Sequence, residues 1–193
     1  MGIPSYFSYI VKNYPEIIKK YITHEIKVDH LYLDCNSIIY DIYHKMKFSE
    51  ITDSVSMSII KQVCLKIEYY IRLIAPTHNV LIAFDGVAPV AKLEQQRSRR
   101  YKSAYQNQLT KQIFKNKEPD PWNTSAITPG TKFMNDLSDY IKTYFNDSKR
   151  CNVISIINST SDIYGEGEHK IFEYIRSNPD IHKNETTVIY GLD

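Results

Sequence analysis

Apolar residues along the chain follow two rhythms. Four short runs are nearly continuous: HLYLDCN at 30–36, NVLIAFD at 79–85, CNVISIIN at 151–158 and ETTVIYGLD at 185–193. Runs of this length, rich in β-branched residues and closed by polar positions, predict buried strands. Between them the spacing becomes helical. Val55, Ile59, Val63, Ile67 and Ile71 stand four apart, beside Ile60, Tyr70 and Ile74, and predict a long amphipathic helix over 54–74. A second amphipathic helix is expected over 131–146. SIIYDIYHKM predicts another after the first strand, with Asn36 or Ser37 as its cap. GIPSYFSYIVKNYPEII reads as a short helix that ends near Pro15. Residues 89–115 are helical and polar, with Pro89 suited to the first helical position. GEGEHKIFEYIRSN opens a further helix.

Strands that alternate with helices imply an α/β fold, with a mostly parallel sheet covered by helices on both faces. The turn-rich stretch NKEPDPWNTSAITPGT reads as a linker or ordered loop. Pro119 and Pro121 mark the place for a flexible insert rather than a domain boundary. There is no internal repeat and no low-complexity tract. Because the chain stops at GLD, just after a strand, it reads as part of a longer polypeptide.

Composition narrows the picture only a little. The 193 residues are 42% hydrophobic and 24% charged, an ordinary globular profile. Net charge is +2, so any affinity for nucleic acid must come from local clustering. Cys35, Cys64 and Cys151 are odd in number and far apart. They suggest neither a disulfide framework nor a cysteine zinc site, and they suit a reducing compartment: the cytoplasm, with the nucleus as alternative. No apolar run approaches membrane-spanning length. The sixteen tyrosines suit strands and half-buried helix faces, and such rings also stack on bases.

Acidic residues gather at strand ends. Asp34 closes the first strand, Asp85 the second and Asp193 the fourth, and Glu166 and Glu168 follow the third. The C-terminal ends of parallel strands share one sheet edge, where binding sites collect. Glu166 and Glu168, two apart, share a face in a turn or extended segment, which the flanking Gly165 and Gly167 permit. Clustered carboxylates need a compensating cation. An all-oxygen set points to Mg²⁺ or Mn²⁺, and two such ions support phosphodiester hydrolysis. The bland alternative is that each aspartate only caps the helix that follows it. His169, beside Glu168, is read as structural.

The stretch after Asp85 turns basic. Lys92, Arg97, Arg99, Arg100 and Lys102 face a single Glu94. Lys92, Gln96, Arg99 and Arg100 fall on one helical face, and arginine forks match phosphate oxygens. Such a face would hold a terminal phosphate while the acidic cluster addresses the scissile one. A solvated charged helix is the plainer reading.

Taken in order, MGIPSYFSYIVKNYP, LYLDCNSIIYD, FDGVAPVAKLEQQRSRR, ITPGTKFM, GEGEHKI and YGLD resemble the N-terminal part of the Xrn family of 5'-3' exoribonucleases, over nearly the whole chain. The resemblance implies a PIN/FEN-like (Rossmann-like) three-layer core. Residues 1–193 would form the N-terminal portion of the catalytic domain, with the remainder of the polypeptide beyond Asp193 supplying further ligands. It implies two divalent ions, Mg²⁺ or Mn²⁺, held by Asp34, Asp85, Glu166, Glu168 and Asp193. It implies a 5'-phosphate pocket of Lys92, Gln96, Arg99 and Arg100 that is closed to a triphosphate or cap. The implied substrate is single-stranded RNA with a 5'-monophosphate, degraded to nucleoside 5'-monophosphates. There are departures. Tyr40 stands where the family commonly has a histidine that stacks on the first base. Tyr164 replaces a usual proline, and Val90 a frequent basic residue. Two other readings stay open: a flap or structure-specific DNA nuclease of the same fold group, and an inactive RNA-binding or interaction module.

Overall fold

The computed structural model describes residues 5–20, 26–46, 54–113 and 122–191. The expected ligand Asp193 and the prolines at 119 and 121 lie outside the described residues. Helix α1 covers Tyr6–Asn13 and gives way to a 3₁₀ turn at Pro15–Ile17. The remaining elements are β1 (His30–Asp34), α2 (Asn36–Lys45), α3 (Val55–Ile74), β2 (Asn79–Ala83), α4 (Val90–Ile113), α5 (Lys132–Tyr144), β3 (Ser155–Ser159), α6 (Gly167–Ser177), α7 (Pro179–His182) and β4 (Thr187–Tyr190).

The four strands form one sheet in the order β3-β2-β1-β4, and every pairing is parallel. The register sets Asp34 opposite Ala83, and Ala83 opposite Ser159, so three strands end level with one another. Their alternation assigns the two faces. Leu31, Leu33, Val80 and Ile82 point into the larger core with α2, α3 and α5. That core takes in Ile59, Ile60, Val63, Ile67, Ile71, Met134, Leu137 and Ile141. Tyr32, Leu81 and Ala83 point the other way, onto Ile171, Tyr174 and Ile175 of α6. The result is three layers, helix–sheet–helix. β4 lies on the far side of β1 from β2, so the chain reverses its direction of travel across the sheet at β1.

Two caps hold the layer under the sheet. Ser54 Oγ accepts from the Met57 N–H at the start of α3, and Thr131 Oγ1 from the Met134 N–H at the start of α5. Trp122 donates from its indole to Ser56 Oγ and packs edge-on against Phe133. This fastens the segment before α5 to the core, and with it Ile127 and Pro129.

Three local expectations fail. Cys35, not Asn36 or Ser37, occupies the cap position of α2, without a side-chain cap bond. Asn36 is spent elsewhere. The third strand begins at Ser155 rather than Cys151, because Ser148–Cys151 is a 3₁₀ turn and Asn152 takes φ 55°. Pro89 lies just before the first residue of α4 rather than within it. Among the described residues the three cysteines form no disulfide. Among the described residues no helix is long and apolar enough to cross a membrane.

Candidate active site

Level strand ends bring the acidic residues together. Asp34 is the last residue of β1. Asp85 follows β2 by two residues, Glu166 is the cap residue of α6, and Glu168 lies in its first turn. A cavity of about 380 Å³ opens above this edge. It is lined by Asp34, Asp85, Glu166 and Glu168 on one side and by Lys92, Gln96, Arg99 and Arg100 of α4 on the other, with Tyr40 of α2 between them. All nine candidate residues within the described part of the chain thus meet in one space.

Main-chain geometry sets these positions. Gly86 N–H donates to Gly165 O at 2.8 Å, and Gly165 N–H donates to Val87 O at 3.0 Å. The loop after β2 and the loop before α6 are therefore laced to each other. Gly165 takes φ +95°, where a side chain is strained. Gly167 answers a different need, because Asp34 presses so close that a Cβ there would strike its carboxylate. The GEGE stretch thus carries one glycine for its turn and one for clearance.

Asp85 is the most constrained carboxylate. Oδ1 accepts the Gly167 N–H at 2.8 Å, and Oδ2 accepts Asn36 Nδ2 at 2.8 Å. Asn36 Oδ1 in turn accepts the Asp85 N–H at 3.1 Å. Burial raises the Asp85 pKa, opposed by the Gly167 N–H and reinforced by the charge of Glu166. Lysines answer the crowding. Lys92 Nζ reaches Glu166 Oε2 at 2.6 Å, so this lysine bridges the basic and acidic walls rather than facing the phosphate side alone. Lys170 is buried beneath the site. Its Nζ donates to Phe84 O at 2.6 Å and Thr160 O at 2.9 Å, the first carbonyls past β2 and β3. Burial pushes its pKa down to about 8, against the pull of Asp85, Asp162 and Asp34.

Sequence reasoning missed several residues. Asn36 joins the ends of β1 and β2, but its partner is 49 positions away and nothing local marks it. Ser37, Gly86, Ile127 and Pro129 also line the cavity. His169 was read as structural, yet its side chain is 60% exposed. Its Nδ1 lies 3.4 Å from Glu166 and 3.8 Å from Glu168. Glu166, Glu168 and His169 form a group able to hold a metal ion. The donor set along this edge is carboxylate oxygen with one exposed imidazole, and Asp34 has the clearance that Gly167 leaves it. That chemistry fits a hard divalent cation.

The basic wall is more open. Arg99 and Arg100 are exposed, and both also line a neighbouring space of about 270 Å³ with Tyr40, Ser103 and residues 123–125. The Tyr40 hydroxyl has a raised pKa, chiefly through burial, opposed by Arg100 and reinforced by Asp85. Val90 is exposed and lies outside the cavity lining, as does Tyr164.

Comparison with known proteins adds an independent line. Residues 1–193 match the family model described as XRN 5'-3' exonuclease N-terminus. The chain is 34% identical over 206 residues to 5'-3' exoribonuclease 1 of Saccharomyces cerevisiae, and 35% over 213 residues to 5'-3' exoribonuclease 1 of Homo sapiens. It is 31% identical over 238 residues to 5'-3' exoribonuclease 2 of Candida glabrata. Each alignment covers 100% of this chain, but only 14%, 12% and 23% of the respective relative.

Proposed function

Because the chain belongs to the XRN 5'-3' exonuclease N-terminal family, we propose that it forms the N-terminal portion of the catalytic domain of a metal-dependent 5'-3' exoribonuclease. Its core would be of the PIN/FEN-like type. The substrate is single-stranded RNA with a 5'-monophosphate, and the products are nucleoside 5'-monophosphates. The observation that carries this reading is the single cavity with a carboxylate wall facing an arginine–lysine–glutamine wall.

Arg99 and Arg100, with Gln96 and Lys92, bind the terminal phosphate through charge-assisted hydrogen bonds. Tyr40 borders the same space and offers its ring to the first base, which every base can use. Asp34, Asp85, Glu166 and Glu168 would hold two Mg²⁺ or Mn²⁺ ions, with Asp193 and residues from the rest of the polypeptide as further ligands. When bound, such ions polarise the scissile phosphate and make water a competent nucleophile near neutral pH. Asn36 and the Gly167 N–H orient Asp85 by occupying one lone pair on each of its oxygens. Lys92 holds Glu166 toward the cavity and lies where a phosphate would compete for it. The cytoplasm is the proposed location.

The test is product analysis on the complete polypeptide with and without Mg²⁺. The substrates are 5'-monophosphate RNA, 5'-hydroxyl RNA and branched DNA. The reading expects metal-dependent release of mononucleotides from the first alone. Preferential cutting of branched DNA would favour a structure-specific nuclease. Intact RNA binding without any cleavage would identify an inactive binding module.

A further inference from the structure

The opposite edge of the sheet carries a second convergence of metal-binding side chains. His30 is the first residue of β1, His78 precedes β2, and Glu185 lies two residues before β4. His30 Nε2 lies 2.5 Å from Glu185 Oε2, and His78 Nδ1 lies 3.1 Å from the same oxygen. The ligand atoms of the three residues all fall within 4.8 Å of one another. The cluster lies where the strands begin, and the cavity described above lies where they end. We propose that His30, His78 and Glu185 form a second cation site, selective for a borderline transition metal of the Zn²⁺ class, that staples β4 to β1 and β2.

The donor set carries the argument. Two imidazole nitrogens and one carboxylate oxygen suit Zn²⁺ or Co²⁺ and disfavour Mg²⁺, the reverse of the carboxylate-rich edge. Metal–ligand distances of about 2.0–2.1 Å in a tetrahedron put neighbouring ligand atoms about 3.3 Å apart. The His78–Glu185 separation of 3.1 Å is close to that value, and the His30–Glu185 separation of 2.5 Å must open by about 0.8 Å to reach it. Glu185 is about a third exposed, as is His78, so either can yield by less than 1 Å and the site opens to solvent for the fourth ligand.

The backbone around the three donors is fixed. His30 N–H donates to Thr186 O, His78 N–H to Asp29 O, and Ser155 N–H to His78 O. The two histidines therefore hang from the sheet ladder, and Glu185 adjoins Thr186, which is bonded to it. The neighbours are already engaged. His182 stacks on His30 at 5.2 Å, but its Nδ1 meets Asn178 O and its Nε2 meets the Tyr32 hydroxyl. Asp29 binds Lys27, Thr77 and the Thr186 N–H. These two groups wall the cluster, and Asp29 Oδ1 also lies 3.9 Å from His78 Nδ1. The two histidines, His78 foremost, hold the Glu185 carboxyl below its ordinary pKa, the ligating form.

His30 sets the strength. Its ring is 1% exposed, and Nε2 faces two acceptors, Glu185 and Ile181 O, so it carries the proton when no metal is bound. Metal binding moves that proton to Nδ1, which is buried and has no partner among the described residues. An absent outer-shell acceptor lowers affinity by about 10–100-fold. The site should therefore exchange its ion readily and respond to chelators.

The test uses the complete polypeptide titrated with Co²⁺ in excess Mg²⁺, which occupies the other edge. Tetrahedral Co²⁺ gives visible d–d absorption, and Zn²⁺ should displace it. His78→Asn and Glu185→Gln, both at partly exposed positions, should each remove the band. They should also remove the rise in melting temperature that Zn²⁺ gives the parent protein. His30→Asn should do the same if it folds. Asp85→Ala should leave both signals intact. The proposal is overturned if the parent protein shows no such band, if the band survives in His78→Asn, or if Asp85→Ala removes it. A cluster that changes stability with pH but not with Zn²⁺ would be a proton-sharing pair, which also overturns it.

Discussion

Gly167→Ala tests whether the acidic edge works by close clearance. A Cβ at this position would lie 2.8 Å from Asp34 Cγ and 3.3 Å from Oδ2, and closer still to Oδ1, whereas ordinary contact begins at 3.4 Å. The Asp34 carboxylate must retreat by about 0.6 Å at Cγ, and more at Oδ1, and β1 gives it little room because it is an interior strand paired on both sides. A displacement of about 1 Å at reacting groups costs about 100-fold in rate. The fold should survive the change. Overpacking costs about 1–3 kcal/mol, and replacing glycine by alanine in a helix returns up to about 1 kcal/mol. The net is at most about 3 kcal/mol, or a melting shift of no more than about 12 °C. Single-turnover cleavage of 5'-phosphorylated RNA, measured beside thermal melting, separates the two effects. The expected outcome is a rate loss near 100-fold in a folded protein. A variant that cleaves at the parent rate would refute the claim that Gly167 is there to seat Asp34.

Further outcomes follow from the same geometry. Arg99→Ala with Arg100→Ala should erase most of the preference for a 5'-phosphate over a 5'-hydroxyl in competition cleavage assays, with a cost near that of two charge-assisted hydrogen bonds, about 3–6 kcal/mol. A double variant that keeps the parent's preference for the 5'-phosphate would remove α4 from the phosphate site. Asp85→Ala should abolish cleavage while filter-binding assays still detect RNA. Asp29, with Asp162, should contribute to the acid limb of stability. The Asp29 carboxyl is held down to about 2 by Lys27 first and the Thr186 N–H next. A lowered carboxyl pKa stabilises the fold above the unfolded value of about 3.9, and that contribution is lost as pH falls toward 2. Chemical denaturation between pH 5 and 2 should therefore be flatter in Asp29→Asn than in the parent protein.

How much of this could be read from the sequence differs by element. The period of Val55, Ile59, Val63, Ile67 and Ile71 predicts α3 within a residue, because each of these positions faces one core. The end of β1 was equally legible, because its apolar run stops at Asp34, whereas β2 stops two residues short of Asp85. The start of β3 was not legible. Val153 and Ile154 continue the apolar run, but Asn152 turns the chain and Ile154 is 70% exposed. At the site, residue type and helical spacing brought out the acids and the cations. Asn36 stayed hidden because an asparagine after a strand reads as a cap whatever it bonds. Lys92 looked like a free cation because its partner, Glu166, is 74 positions away. The His30, His78 and Glu185 cluster lay at strand starts, where a sequence pattern gives no reason to look.

The paired loops at Gly86 and Gly165 have a consequence for how the molecule opens. Because two main-chain bonds carry the sheet's connectivity past the strand ends, the carboxylates melt with the sheet and not before it. The amides of Gly86 and Gly165 should exchange with solvent as slowly as those of β2. Tyr164 beside them is 75% exposed and adds nothing to that link. Position 164 can therefore change its side chain while the amides of its neighbours keep the acids in place. Sequence drift and site rigidity are here governed by different atoms.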